Sequence, residues 1–217
     1  MARIYLAMLR AQARSLGPIV GLGLLAAIAL PLATVQGTLG PDVPGLDRIT
    51  ILLTQSDTLA IGYLFLALCV GGFLGLATWH ADVLARWVYA LTLPIPRWQY
   101  AATRFLSGLT LLIPVGLGLL IAGVVASAMV TVPPAITAHP IALAFRFVVA
   151  GAVVFAAVSL LLLSGRKAWA VPIAFTALML LAAAGHSGLL SNLVDVLFLD
   201  RWSPFRILLG PWNLFDV

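Results

Sequence analysis

Few side chains in this chain can do ionic chemistry, and residues 80–104 gather several of them. Within HADVLARWVYALTLPIPRWQYAATR stand His80, Arg86, Arg97 and Arg104, with Asp82 as the only acid. The set contains no nucleophile beside a base and no paired carboxylates, so covalent and acid–base catalysis find no candidates there. His139 and His186 have no acid or thiol close in sequence to complete a metal-ligand set. A phosphate-cradling G-x-x-x-x-G-K-[ST] loop is absent; Leu163-Ser164-Gly165-Arg166-Lys167 reads as the end of an apolar run. The expectation is a chain that is not an enzyme and holds no cofactor or metal, with residues 80–104 as a docking surface.

The elements that must present this surface follow from spacing. Leu84, Trp87, Val88 and Leu91 fall at i, i+3, i+4 and i+7, the stripe of a short amphipathic helix. Asp82 and Arg86 stand four apart on another face, where a pair contributes about 0.3 kcal/mol. Pro94 and Pro96 forbid continuation of that helix and force Thr92–Ile95 into extended or turned backbone. Trp98, Tyr100 and Arg104 then mark re-entry into a membrane interface.

Composition places this loop in a membrane protein. Hydrophobic residues make up 63% of the chain and charged residues 9%, against about 25% charged in soluble domains. The net charge of +5 is explained by membrane topology, so no nucleic-acid partner is expected. The seven acids are all Asp and lie in loops or at span ends, which argues against a proton relay built on acids within spans. Cys69 is the single cysteine, so no internal disulfide forms.

The reading is an all-α polytopic membrane protein with one transmembrane domain over residues 1–217. Five spans are expected, at about Pro18–Val35, Leu59–Trp79, Phe105–Val130, Ala142–Ser164 and Ala168–Gly185. With a cytoplasmic N-terminus, Arg3, Arg10, Arg14, Arg86, Arg97, Arg104, Arg166 and Lys167 all fall inside. Arg48, Arg201 and Arg206 fall outside, and Arg146 near the outer end of the fourth span. The positive-inside rule selects that orientation, in a bacterial-type inner membrane. The leader, residues 1–15, places Arg3, Arg10 and Arg14 within about 40° of one another, opposite Ile4, Tyr5, Met8 and Leu9. It either lies flat on the leaflet as an amphipathic helix or serves as a basic flank that sets topology. Residues 36–57 form an outer loop ending in a short apolar stretch, Ile49–Leu53, read as a lid or an interfacial helix. Residues 186–217 form an outer or re-entrant segment with Trp202 and Trp212 at the interface.

Against this background the run LTLPIPRWQYAATRFLSG, leading into an apolar span with Pro114 near its middle, resembles the cytoplasmic loop of type-2 ABC exporter permeases. The residues that carry the resemblance are Leu91, Leu93, Pro94, Ile95, Arg97, Tyr100 and Arg104. The leader is similar to that family's elbow helix, and the segment after the fifth span to its extracellular re-entrant helices. The family has an acid and a glycine ahead of the loop, where this chain has Asp82 and Arg86, and a sixth span, which is either missing here or re-entrant. The resemblance implies a permease subunit that couples to a separate cytoplasmic ATP-binding subunit and works beside a second permease copy or paralogue. It makes Asp82, Leu84, Arg86, Trp87, Val88, Leu91, Pro94, Ile95 and Arg97 the expected coupling residues. The alternative is a non-transporting assembly or scaffold subunit of a larger membrane complex.

Other features are less specific. Gly17/Gly21 and Gly71/Gly75 are small-residue pairs expected to serve internal helix packing. Pro31, Pro114 and Pro172 are candidate kinks. Arg146 either snorkels to the outer interface or meets an anionic substrate or lipid. The polar span residues Thr78, Ser107, Thr110, Ser127, Ser159 and Thr176 are few, which fits an amphipathic or lipid-like cargo and contact with membrane lipids.

Overall fold

The computed structural model describes residues 2–36, 45–84, 96–130, 136–164 and 212–216. These residues form α1 (Ala2–Gln36), α2 (Gly45–Leu84), α3 (Arg97–Thr110), α4 (Leu112–Met129) and α5 (Pro140–Ser164). A short two-stranded ladder pairs β1 (Thr137–Ala138) with β2 (Phe215–Asp216) in antiparallel register. Four segments are long and apolar enough to cross a membrane: Ile4–Gln36, Ile49–His80, Arg97–Met129 and Pro140–Ser164. The expected fifth span, Ala168–Gly185, lies outside the described residues.

Two expected boundaries change. The leader is not a separate elbow element: α1 runs unbroken from Ala2 through Pro18 and Pro31 to Gln36. Likewise residues 45–58 are neither lid nor separate interfacial helix, because α2 is continuous from Gly45 to Leu84. In both cases the helix runs on through residues of low intrinsic propensity, Gly17 and Pro18 in α1 and Thr54, Ser56, Asp57 and Thr58 in α2. Propagation adds one hydrogen bond per residue once a helix exists.

The span expected at Phe105–Val130 is instead two helices meeting at Leu111, whose N–H bonds to the Gly108 carbonyl at 3.1 Å. Pro114 explains the joint. It has no N–H to give to Thr110, and its ring crowds the same carbonyl, so the chain tightens into a single turn before continuing.

The bundle is apolar outside. Leu22, Ile61, Phe65, Ile121 and Ile141 are all exposed, each by more than 60%, while Tyr63, Trp79, Phe147 and Phe155 are buried. Water would penalise that arrangement, whereas hydrocarbon accepts it. Among small residues, Gly71 lies so close to Gly151 that an added Cβ would come within 2.3 Å of the Gly151 carbonyl oxygen. Gly75 similarly admits Val158 and Phe155 of α5. The Gly71/Gly75 pair therefore packs internally, as expected. Gly17 and Gly21 have nothing within 4 Å of a built Cβ among the described residues.

Residues 1–159 with 212–217 form one compact unit and 160–211 a second, of which only the last turns of α5 are described. Within the first unit, the ladder closes the end of α2 nearest its start. The Ser56 hydroxyl donates to the Phe215 carbonyl at 3.3 Å and accepts from the Phe215 N–H at 3.2 Å. His139 N–H donates to the Leu214 carbonyl at 2.9 Å, and Pro140 opens α5 where its missing N–H costs nothing.

Candidate functional site

A polar cluster sits at the other end of α2, built from three helices. It begins with α3, which Pro96 precedes in extended conformation, its carbonyl accepting from Gln99 N–H and Tyr100 N–H at 2.9 and 3.1 Å. The following turns place Tyr100, Thr103, Arg104 and Ser107 at i, i+3, i+4 and i+7, one polar stripe along the helix. That stripe faces inward, and Trp98, Ala102 and Leu106 face out.

Arg104 organises the cluster. Its Nε lies 3.2 Å from an Asp82 carboxylate oxygen and 2.9 Å from the Thr78 carbonyl, both on α2. Nη1 donates to the Tyr100 hydroxyl at 2.6 Å. That hydroxyl is also within 3.1 and 2.9 Å of the two Asp82 oxygens. The guanidinium carbon stands 5.9 Å from the Trp79 ring centre and 5.7 Å from the Tyr100 ring centre, within cation–π range. The Asp82 side chain is 3% exposed and that of Arg104 19%. A carboxylate so buried needs a compensating charge and hydrogen bonds, and it has both.

The third wall is α1. Ser107 donates to Gln12 Oε1 at 2.7 Å, and Gln12 Nε2 donates to the Arg104 carbonyl at 3.3 Å. Tyr5 and Thr110 hydroxyls are 2.6 Å apart, and the Thr103 hydroxyl reaches Met8 sulfur at 3.3 Å. The face of the leader that could have rested on lipid thus packs against α3, while Arg10 and Arg14 are exposed.

Several expected site residues are relocated. The Asp82 carboxylate is buried and turned toward Arg104, a tertiary partner from α3. Leu84 closes α2. Arg86, Trp87, Val88, Leu91, Pro94 and Ile95 lie outside the described residues. Arg97 is exposed at the start of α3, beside the exposed Trp98. Arg146 is half-buried on α5, less than two turns after Pro140, and so belongs to the ladder end of the bundle. At that end His139 Nε2 and the Thr137 hydroxyl are 2.9 Å apart, and Asn213 donates to Asp57 at 2.5 Å. No group of three or more His, Cys, Asp or Glu is gathered among the described residues.

Arg104, Gln12, Tyr5, Tyr100 and Ser107 are cluster members outside the expected set of coupling residues. A signal for them exists: Tyr5, Met8 and Gln12 share one side of α1, and the polar stripe of α3 needs a polar counterpart. Among the polar span residues Thr110 is satisfied by the Leu106 carbonyl and Ser127 by the Val124 carbonyl, whereas the Thr78 and Ser159 hydroxyls are buried with no hydrogen-bond partner among the described residues.

A cleft of about 440 Å³ opens beside the cluster, between α1 and α2, with Arg104 in its wall. Compared with protein-family models, curated proteins and solved structures, the chain shows no significant match.

Proposed function

We propose that this chain is the membrane-spanning subunit of an ATP-driven exporter of the type-2 ABC kind, moving an amphipathic or lipid-like cargo while a separate cytoplasmic subunit hydrolyses ATP. The observation that carries the reading is the sequence Leu93-Pro94-Ile95-Pro96-Arg97 immediately ahead of α3, a helix tied to the end of α2 through Asp82 and Arg104. A loop held between two mutually locked helix ends transmits a push from a partner to both helices at once. A loop between untied ends would absorb the push as local bending. The exposed Arg97 and Trp98 extend the contact surface onto the first turn of α3. Arg and Trp are residues that dominate interface energetics.

Co-expression with an ATP-binding subunit encoded beside the chain tests this. The two are expected to co-purify and to show ATPase activity stimulated by the membrane subunit. Trp87→Ala and Arg97→Glu should each weaken the complex by about 2 kcal/mol, the size of an interface hot spot. Failure to associate, or association indifferent to both substitutions and to ATP, would sink the exporter reading. The latter result would favour a static assembly subunit.

A further inference from the structure

We infer that the cleft between α1 and α2 beside Arg104 is a binding site for an anionic phospholipid, with the phosphate at Arg104 and His80 and the first acyl carbons along α1 and α2. The cleft has two chemically distinct walls. Ser15, Thr78, His80 and Arg104 supply polar groups, and Ile19, Phe73 and Leu76 supply apolar surface. Its level matches a membrane edge, because His80 is the last residue of the second membrane-crossing segment.

Charge selects an anion. Among the described residues Arg104 and His80 are the only ionisable side chains lining the cleft, and Asp82, which balances Arg104, is not part of its wall. Asp82 sits behind the guanidinium, which still has donors to give: Nε and Nη1 are engaged, and Nη2 has no acceptor among the described residues. Planar guanidinium donors match phosphate oxygens well. Arg10 and Arg14, exposed on the same end of α1, add to the positive potential that draws anionic headgroups.

Apolar continuity selects a lipid over a free anion. Phe73 and Leu76 are exposed by 58% and 45%, so the cleft opens sideways onto the surface that faces hydrocarbon. A soluble phosphate gains nothing from that wall, whereas an acyl chain does, at about 25 cal/mol per Å² buried. This site does not depend on the exporter reading, since any membrane role of the chain leaves it intact.

The test uses the purified full-length chain in detergent, with bound lipid counted by native mass spectrometry. Phosphatidylglycerol is expected to bind at least about fivefold more tightly than phosphatidylcholine, the effect of about one cationic side chain near the headgroup. Ser15→Phe and Ala77→Phe, both filling the cleft, should each cut phosphatidylglycerol binding by about tenfold, with an unchanged melting temperature confirming that either variant is folded. The double variant Asp82→Asn/Arg104→Gln removes both charges together and should abolish the preference for the anionic lipid. Equal affinity for the two lipids overturns the proposal, as does undiminished binding in a folded cleft-filling variant. Displacement of the lipid by an equal concentration of glycerol phosphate would show that a free anion suffices, and also overturns it.

Discussion

At the scale of single residues, Asp82 shows how far local spacing reaches. Its i+4 neighbour Arg86 is an obvious partner on a helix, and a helical pair contributes only a few tenths of a kcal/mol, about 0.3. A carboxylate at a membrane edge that is withdrawn from water needs a stronger and closer counter-charge, and Arg104 provides it from another helix. Both residues stood out in the sequence; their pairing did not, because it depends on how α2 and α3 pack. The pairing carries a definite energetic signature. Asp82→Asn or Arg104→Gln alone leaves a buried charge uncompensated and should destabilise the chain by about 3–5 kcal/mol. The double variant should cost less than the two single losses added together, because no orphan charge remains. Denaturation midpoints in mixed micelles would measure the cycle. Additive losses would show that the two side chains are not energetically coupled.

At the scale of elements, long apolar runs were legible and their ends were not. Hydropathy marks where a helix can lie in hydrocarbon, but it is blind to helix that continues past the membrane edge. That is why α1 and α2 absorb the leader and the outer apolar stretch. Pro114 was legible as a kink but not as a complete joint at Leu111. Small-residue pairs show the same division, since Gly71/Gly75 and Gly17/Gly21 are alike as sequence. Among the described residues only the first meets a neighbouring helix, with the Gly151 carbonyl oxygen 2.3 Å from a Cβ at Gly71. Backbone cannot yield as a flexible side chain would, so Gly71→Ala should force α2 and α5 apart and cost about 1–3 kcal/mol. Gly21→Ala has open space around it and should stay within about 0.5 kcal/mol of the parent. Thermal melts of the two purified variants would compare them. Equal effects would show that the crossing of α2 and α5 is looser than a glycine contact.

At the scale of the whole molecule, α2 is the ruler. Its polar attachments fall near its two ends, Ser56 and Asp57 to the residues around β2, and Thr78 and Asp82 to the α3 cluster. Between Thr58 and His80, both exposed, the helix rises about 33 Å at about 1.5 Å per residue, close to the thickness of a hydrocarbon core of about 30 Å. The side chains between them that point outward, Ile61, Phe65, Leu68, Phe73 and Leu76, are all apolar. The exposed middle of α2 is thus left to lipid, while the buried Tyr63 hydroxyl is turned into the bundle. This geometry makes a prediction about sidedness that needs no partner protein. In a Cys69→Ala background, Thr58→Cys and His80→Cys should react with a membrane-impermeant maleimide from opposite faces of sealed vesicles. By the distribution of cations, position 80 should react from the cytoplasmic face. Phe65→Cys, 66% exposed but about 10 Å from the nearer edge, should resist labelling until detergent is added. Reaction of positions 58 and 80 from the same face would mean that α2 does not cross the bilayer. The Arg104 cluster and the ladder end would then share one side of the membrane, and both the lipid site and the coupling loop would lose the depth that their chemistry requires.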